Sequence, residues 1–373
     1  MALVQVRAKP GIGAAMMAAV IFYGSLYPFR FYGVPDLGDA LGALLARWAH
    51  FGGSIEVFAN ILLYAPLGYY LGCAIEGLGP WVRTALVTAA GFAFSFSIEL
   101  AQHWDLTRDS DMGDVWANTA GTFLGAWAAI ALAHSYDHRF LGPIARKPFV
   151  ALLLSAFLFN RVYPWTPDAR VSGLRHTLAG AGEAAVFWLV ACVLVDALVG
   201  KQRRPAPLVL MAAALSGRAL ASHAAPSAEL SLGALTAAIL WTFVPLDPKR
   251  RAQAVAVLFA AAIVFQSLSP FRFGHGSSHF GWVPFGIIMM ETREVAIPSF
   301  LQKAFTWGAL VWLPVRAGRP LGRAALAASA LVIAIDLFQR ELPRKQPEIT
   351  DLVVLALMAA NMVLMDEARP GEA

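Results

Sequence analysis

About twelve apolar runs, each roughly 15–22 residues long, divide this chain at short joints marked by Pro and Gly. This feature constrains the fold most. A helix needs about 20 apolar residues to cross a bilayer, and these runs are apolar around the whole helical circumference instead of along one stripe. Composition agrees. Hydrophobic residues make up 58% of the 373 and charged residues only 14%, where a soluble domain carries about 25% charged residues. The expected fold is all-α, a polytopic transmembrane helix bundle. Its spans are read at 11–27, 53–75, 81–103, 112–134, 147–163, 179–199, 207–222, 228–246, 252–268, 298–316, 321–339 and 350–366. Segments 37–50 and 283–290 are shorter and suit an interfacial or re-entrant position.

The formal net charge of +5 does not point to nucleic acid, because the Lys and Arg residues sit in short loops between apolar runs. Sixteen of the 29 basic residues fall on one side if the N-terminus is inside, with compact clusters at 201–204 and 249–251. The positive-inside rule then places both termini in the cytoplasm. Cys73 and Cys192 both lie within apolar runs, which suits packing and excludes a secreted disulfide framework.

A repeat bears on the first run, which Arg7 and Lys9 precede in the manner of a signal peptide. Ser25-Leu26-Tyr27-Pro28-Phe29-Arg30-Phe31 follows the first run, and Ser267-Leu268-Ser269-Pro270-Phe271-Arg272-Phe273 follows the ninth, identical at six of seven positions. The first helix therefore belongs to a repeated unit and is expected to be retained. A constant offset of 237 further aligns Glu99 with Asp336, Gln102 with Gln339, Arg108 with Lys345, Asp111 with Glu348 and Asp114 with Asp351. A fainter middle copy keeps Val162-Tyr163-Pro164-Trp165, His223 and Glu229. Three degenerate four-helix units are expected, within residues 1–135, 136–250 and 251–373. The first keeps Asn60, His103 and Asn118, where the third has Gly308, Arg340 and Leu355, so chemistry is expected in the first.

In that unit Glu99, Gln102 and His103 share one face of a helix end, and Asp111, Asp114 and Asn118 share one face of the next helix start. Glu56, Asn60 and Tyr64 share a face before Pro66. Ionisable groups at membrane depth are costly and point to function. A short loop joins the two helix ends, so these groups converge at one bilayer face. Carboxylates such as Asp111 and Asp114 suit a divalent cation, the one cofactor entertained. Arg108 suits a phosphate, and His103, with Glu99 and Asp114, suits acid–base or nucleophilic work. The plainer reading is a structural polar network, with Asp111 at a helix N-terminus and Asn118 bridging helices.

These residues resemble the VanZ-like family. Its pattern is matched by Asn60-Ile61-Leu62-Leu63-Tyr64-Ala65-Pro66-Leu67-Gly68, by Ser95, Ile98-Glu99 and Gln102, and by Arg108, Asp111, Asp114, Asn118 and Gly121. The resemblance covers residues 17–132 best, and a lone domain of that family is about one such unit. It implies a link to glycopeptide-antibiotic tolerance and to enzymes of lipid head groups, hence phosphoester chemistry at a membrane face. The favoured expectation is an enzyme that exchanges or hydrolyses the head group of a phosphate-linked lipid or polyprenyl carrier. Asn60, Gln102, Asn118 and Arg108 would hold that substrate. A transporter or flippase for such a lipid is the second reading, and a non-catalytic binder of cell-wall precursors the third. Restriction of the polar set to one unit and one face favours the enzyme. A binder would tolerate loss of His103 better than an enzyme would.

Overall fold

Local signals in the chain set where each helix begins. Asp36, Asp111, Ser227 and Asp247 each cap a helix by accepting backbone N–H bonds, and Pro80 and Pro248 open helices at the first turn. The computed structural model describes residues 10–33, 36–105, 108, 110–162, 174–200, 205–222, 226–271, 279–343 and 345–367. Among them are fifteen helices and no strand: α1 Pro10–Leu26, α2 Leu37–Ala46, α3 Ser54–Ala74, α4 Pro80–Gln102, α5 Met112–Ala133, α6 Gly142–Arg146, α7 Pro148–Val162, α8 Leu174–Val199, α9 Ala206–Ser222, α10 Ala228–Phe243, α11 Pro248–Leu268, α12 Gly286–Met290, α13 Arg293–Arg316, α14 Leu321–Gln339 and α15 Thr350–Glu367. The twelve longer helices coincide with the twelve expected spans. The short ones are α2, α6 and α12.

Six helices, α3, α4, α5, α8, α11 and α14, are long and apolar enough to cross a bilayer. In α11 and α14 only 28% of the apolar window is buried inside the protein. Side chains such as Val257 and Leu326 face outward, 65% and 73% exposed. In water such surface would be strongly unfavourable, and lipid removes that cost. The chain is a polytopic helical membrane protein. One helix is apolar for a different reason. In α8 67% of the window is buried, so its all-round apolarity marks the centre of a bundle and not contact with lipid.

The contacts divide the chain into two compact units, one of residues 1–146 with 363–373 and one of residues 147–362. In the first, α3 and α5 run parallel and very close. A Cβ placed on Gly121 would meet the Ile61 carbonyl oxygen at 2.4 Å, and one on Gly125 the Ala65 carbonyl oxygen at 1.9 Å. Only small residues allow helices that close. The α4 helix runs back alongside α5, with Gly91 against Thr122. The α1 helix packs on α3, where Gly13 receives the Tyr70 ring. The C-termini of α1 and α4 and the N-termini of α3 and α5 therefore meet at one end. There α2 packs through Leu44 on Met112 and Val115, against Phe92, Phe96 and Leu100.

The second unit centres on a cluster of rings, Phe157, Phe187, Trp188, Phe259 and Phe305, with neighbouring centroids 5.0 to 6.1 Å apart. The Asn160 amide donates to Gln302 at 2.8 Å, joining α7 to α13. The Arg161 guanidinium lies over the Phe157 and Phe187 rings, 5.7 and 5.3 Å from their centroids. Cys73 and Cys192 are both free thiols, and Cys192 packs against the Met211 sulfur at 3.7 Å. Of the faint middle copy, residues 163–165 and 223 lie outside the described residues, as do Lys201, Arg203, Arg204, Arg272 and Phe273.

The two heptads adopt matching conformations where both are described. Tyr27–Pro28 and Ser269–Pro270 are cis, and Phe29 and Phe271 take left-handed φ of 61° and 58°. Gln102 donates to the Ser25 carbonyl at 2.9 Å, and Gln339 to the Ser267 carbonyl at 3.1 Å. In each case a glutamine ending one helix ties down the chain leaving another.

Candidate functional site

The site is built at the end of the first unit where four helix ends meet. Asp111 organises it. Its Oδ1 accepts from the Gly113 N–H at 2.9 Å, closing the N-terminus of α5, and its Oδ2 faces His50 Nδ1. Its own N–H donates to Glu99 Oε2 at 2.9 Å. Glu99, on the last turns of α4, is 3% exposed, and Asp114, Asp111 and Arg108 all act on it electrostatically. Glu99, Asp111, Asp114 and Arg108 thus converge, as their spacing implied.

Three further contacts hold the 47–51 segment over this end. Arg47 Nη1 donates to the Ser110 carbonyl at 3.4 Å, and Trp116 Nε1 donates to the Trp48 carbonyl at 3.0 Å. Gly113 allows the third, since a Cβ there would lie 2.1 Å from the His50 carbonyl oxygen. His50, 58% exposed at its side chain, therefore stands over Asp111 with one ring face open.

A polar ladder runs inward from these carboxylates. Asn118 Nδ2 donates to Ser95 Oγ at 2.9 Å, one helical turn beyond Asp114 and Glu99 respectively. Tyr64, 1% exposed, is within electrostatic reach of Glu99 and Asp114. Asn60, a turn before Tyr64 on α3, is 7% exposed. Three atoms of this ladder, Asn60 Nδ2, the Tyr64 hydroxyl and Asn118 Oδ1, are fully buried and have no hydrogen-bond partner. Each such atom costs about 1–3 kcal/mol unless something fills its valence. A donor, a hydroxyl and an acceptor are thus left for a ligand or water. A pocket of about 260 Å³ lined by Phe31, Tyr32, Gly33, Ala101 and Trp104 lies at the same end. An open apolar groove of about 500 Å³ runs along α4 and α5 between Trp81, Ala85, Phe92 and Phe123.

Residues 12–133 match the VanZ/LLP1 family. That VanZ/LLP1 segment takes in α1 to α5 and with them every residue of the ladder. No curated protein and no solved structure matches the chain.

The geometry around several of the expected site residues differs from what their spacing suggested. His103 does not pair with Glu99. It ends α4 with its ring edge-to-face on Trp104, centroids 5.7 Å apart, and makes no hydrogen bond to Glu99 among the described residues. His103 keeps helical φ and ψ of −54° and −30°, and its ring turns to Trp104. Arg108 turns toward the end of α1. Its Nη2 donates to the Gly24 and Tyr27 carbonyls at 3.0 and 3.1 Å, satisfying the C-terminal end of α1. Gln102 likewise bonds the Ser25 carbonyl and braces the same turn. Among the described residues no group of three His, Cys, Asp or Glu side chains is placed to hold a metal ion, and Asp111 is engaged by Gly113 and His50.

The sequence reading missed His50. Its signal was present but weak: a histidine at the end of the short interfacial segment 37–50, just before Gly52-Gly53 and the start of α3.

Proposed function

We propose that the first unit acts on the head group of a phosphate-linked lipid or polyprenyl carrier, exchanging or hydrolysing it at the membrane face. The observation that carries this reading is the buried ladder with Asn60 Nδ2 and Asn118 Oδ1 unpaired, reached from a face where an imidazole stands on a carboxylate. Unpaired buried polar atoms and an open apolar groove along α4 and α5 in the same unit suit a substrate with a polar head and an acyl or prenyl tail. The VanZ/LLP1 match over residues 12–133 adds that this segment is a recurring unit.

In this reading His50 and not His103 carries the proton. The Asp111 carboxylate on Nδ1 keeps the proton of the neutral ring there, so Nε2 is an acceptor on the open side. It removes the proton of an incoming water or alcohol as that oxygen attacks phosphorus, and returns it to the departing oxygen. Glu99 holds Asp111 in place through the backbone N–H bond and acts as a positioning residue. Asn60 donates to a substrate oxygen, and Asn118 accepts from a head-group donor. Arg108 and Gln102 fix the α1 turn that walls the recess.

The test is turnover by the purified chain in lipid vesicles, with phospholipids and polyprenyl phosphates followed by mass spectrometry. Head-group loss or exchange that disappears with His50→Gln is expected. Equal turnover by wild type and His50→Gln would overturn the mechanism.

A further inference from the structure

The second unit supplies an internal comparison for the polar ladder. At the offset of 237, Ser95 and Asn118 correspond to Val332 and Leu355. Counted back from Pro66 and Pro314, Asn60 corresponds to Gly308. Val332 and Leu355 are buried, and a Cβ on Gly308 would lie 2.5 Å from Leu153 Cδ2 and 3.0 Å from Met358 Cε. Apolar side chains therefore close this level of the second unit. Helices packed in this way do not need polar atoms there, so the ladder of the first unit is an addition to the fold and not a condition of it.

The unmet atoms of the ladder are chemically distinct. Asn60 Nδ2 only donates, Asn118 Oδ1 only accepts, and the Tyr64 hydroxyl does both. Asn118 is 6% exposed, as closed off as the other two. The three residues meet at one level of the bundle. Asn118 Nδ2 bonds Ser95 Oγ, and the Tyr64 ring packs on Phe94 beside it, centroids 6.2 Å apart. Asn60 stands one turn from Tyr64 on α3. An ionised phosphate only accepts, so it leaves Asn118 Oδ1 unmet. An ammonium only donates, so it leaves Asn60 Nδ2 unmet. A hydroxyl serves both, accepting from Asn60 Nδ2 and donating its own hydrogen to Asn118 Oδ1. A second hydroxyl pairs with Tyr64.

We propose that Asn60, Tyr64 and Asn118 bind the hydroxyl groups of a polyol, glycerol and inositol being simple members of the class. The inference rests on the head-group reading above and names the substrate class of that site. The phosphate of such a head group lies outside the ladder, toward His50, where that reading places the attack. As they stand the three atoms are closed to solvent, so the hydroxyls enter as the outer end of the ladder opens.

The experiment uses the full chain in micelles of an amine-oxide detergent, which carries no hydroxyl group. Binding and Tm are measured with phosphatidylglycerol, phosphatidylinositol, phosphatidylmethanol and an ethanolamine phospholipid. The first two bear head-group hydroxyls, and phosphatidylmethanol is the same phosphate diester without one. A hydroxyl-bearing lipid raises Tm and binds about tenfold or more tighter than phosphatidylmethanol, because an unmet buried polar atom costs that much. The ethanolamine lipid behaves like phosphatidylmethanol. Asn118→Leu with Ser95→Ala erases the preference, and should that chain not fold, the wild-type comparison decides alone. Inositol phosphate against inorganic phosphate separates the sources. A preference seen only with these soluble probes assigns the hydroxyls to a soluble acceptor, and one seen with the lipids assigns them to a head group. Both results support the ladder site. Equal binding of the four lipids together with equal binding of the two soluble phosphates overturns the proposal, and so does a preference for the ethanolamine lipid. Selective polyol binding without turnover sinks the reaction above and leaves this site. Equal turnover of phosphatidylmethanol and the hydroxyl-bearing lipids does the reverse.

Discussion

At the scale of single residues, two histidines divide the chemistry. His50 has its Nδ1 on Asp111 and its ring open to the outside. His103 is half-buried against Trp104 and off the carboxylates. His50→Gln is expected to lower turnover by about two or more orders of magnitude, the usual loss when a general acid–base is removed, at unchanged detergent Tm. His103→Gln is expected to keep turnover within a few-fold and to lower Tm slightly through the lost ring contact. Reversal of that pattern would return the proton-carrying role to His103. The unpaired atoms give a second expectation. Asn118→Leu combined with Ser95→Ala removes the orphan acceptor and both partners of the Asn118–Ser95 bond, so Tm changes little or rises while activity is lost. A shape-matched apolar replacement of a polar pair is often nearly neutral for stability, so a large drop in both would mark Asn118 as a brace only. Sequence spacing revealed Glu99, Asp111, Asp114 and Asn118 because regular helix geometry fixes which of them share a face. It said less at His103 and Arg108, whose side-chain directions follow contacts with Trp104 and with the α1 carbonyls. His50 was hidden for the same reason: a tertiary contact 61 residues away brings it to Asp111.

At the scale of the elements, the site exists because α3 and α5 approach so closely that Asn60, Tyr64 and Asn118 face a common interior. Gly121 and Gly125 set that distance. Gly125→Val forces a side chain into the Ala65 carbonyl, and overpacking of this kind costs about 1–3 kcal/mol. It is expected to lower Tm clearly and to abolish turnover even in the folded fraction, because the two helices must separate. Gly24→Ala, where a Cβ meets nothing within 4 Å, is the matched control and should be nearly silent. Equal effects would show that the α3–α5 spacing does not determine the recess. The helices themselves were legible almost to the residue, since apolar length and capping residues are local properties. The role of each was less so. An all-round apolar run reads alike whether lipid covers it, as in α14, or protein does, as in α8. Only the packing separates the two.

At the scale of the whole molecule, Glu99, Asp111 and Asp114 stand at an offset of 237 from Asp336, Glu348 and Asp351. Topology is the first expectation here. Reporter fusions after Pro205 should read cytoplasmic and fusions within 105–110 should read outside, since six spans and three spans respectively precede them. The opposite result would move the ladder face to the cytoplasmic side. The second expectation separates a site from a scaffold. Asp114 serves the recess of the first unit, whereas Asp351 holds Lys303 and Trp307 in the second. Asp351→Ala takes from the partly buried Lys303 ammonium its direct hydrogen-bonded partner, leaving Glu348 and Asp336 as the remaining acids, and stranding one partner of a buried pair costs about 3–5 kcal/mol. Tm should fall sharply while turnover per folded molecule stays near wild type. Asp114→Ala should do the opposite, keeping most of the Tm and losing turnover. The double change Lys303→Met with Asp351→Leu removes both charges, so it should recover most of the stability that Asp351→Ala loses. The measurement is Tm beside turnover at equal amounts of folded protein for all four chains. If Asp351→Ala lost turnover as completely as Asp114→Ala, and the double change did not restore it, both ends would be working sites and the division between them would fail.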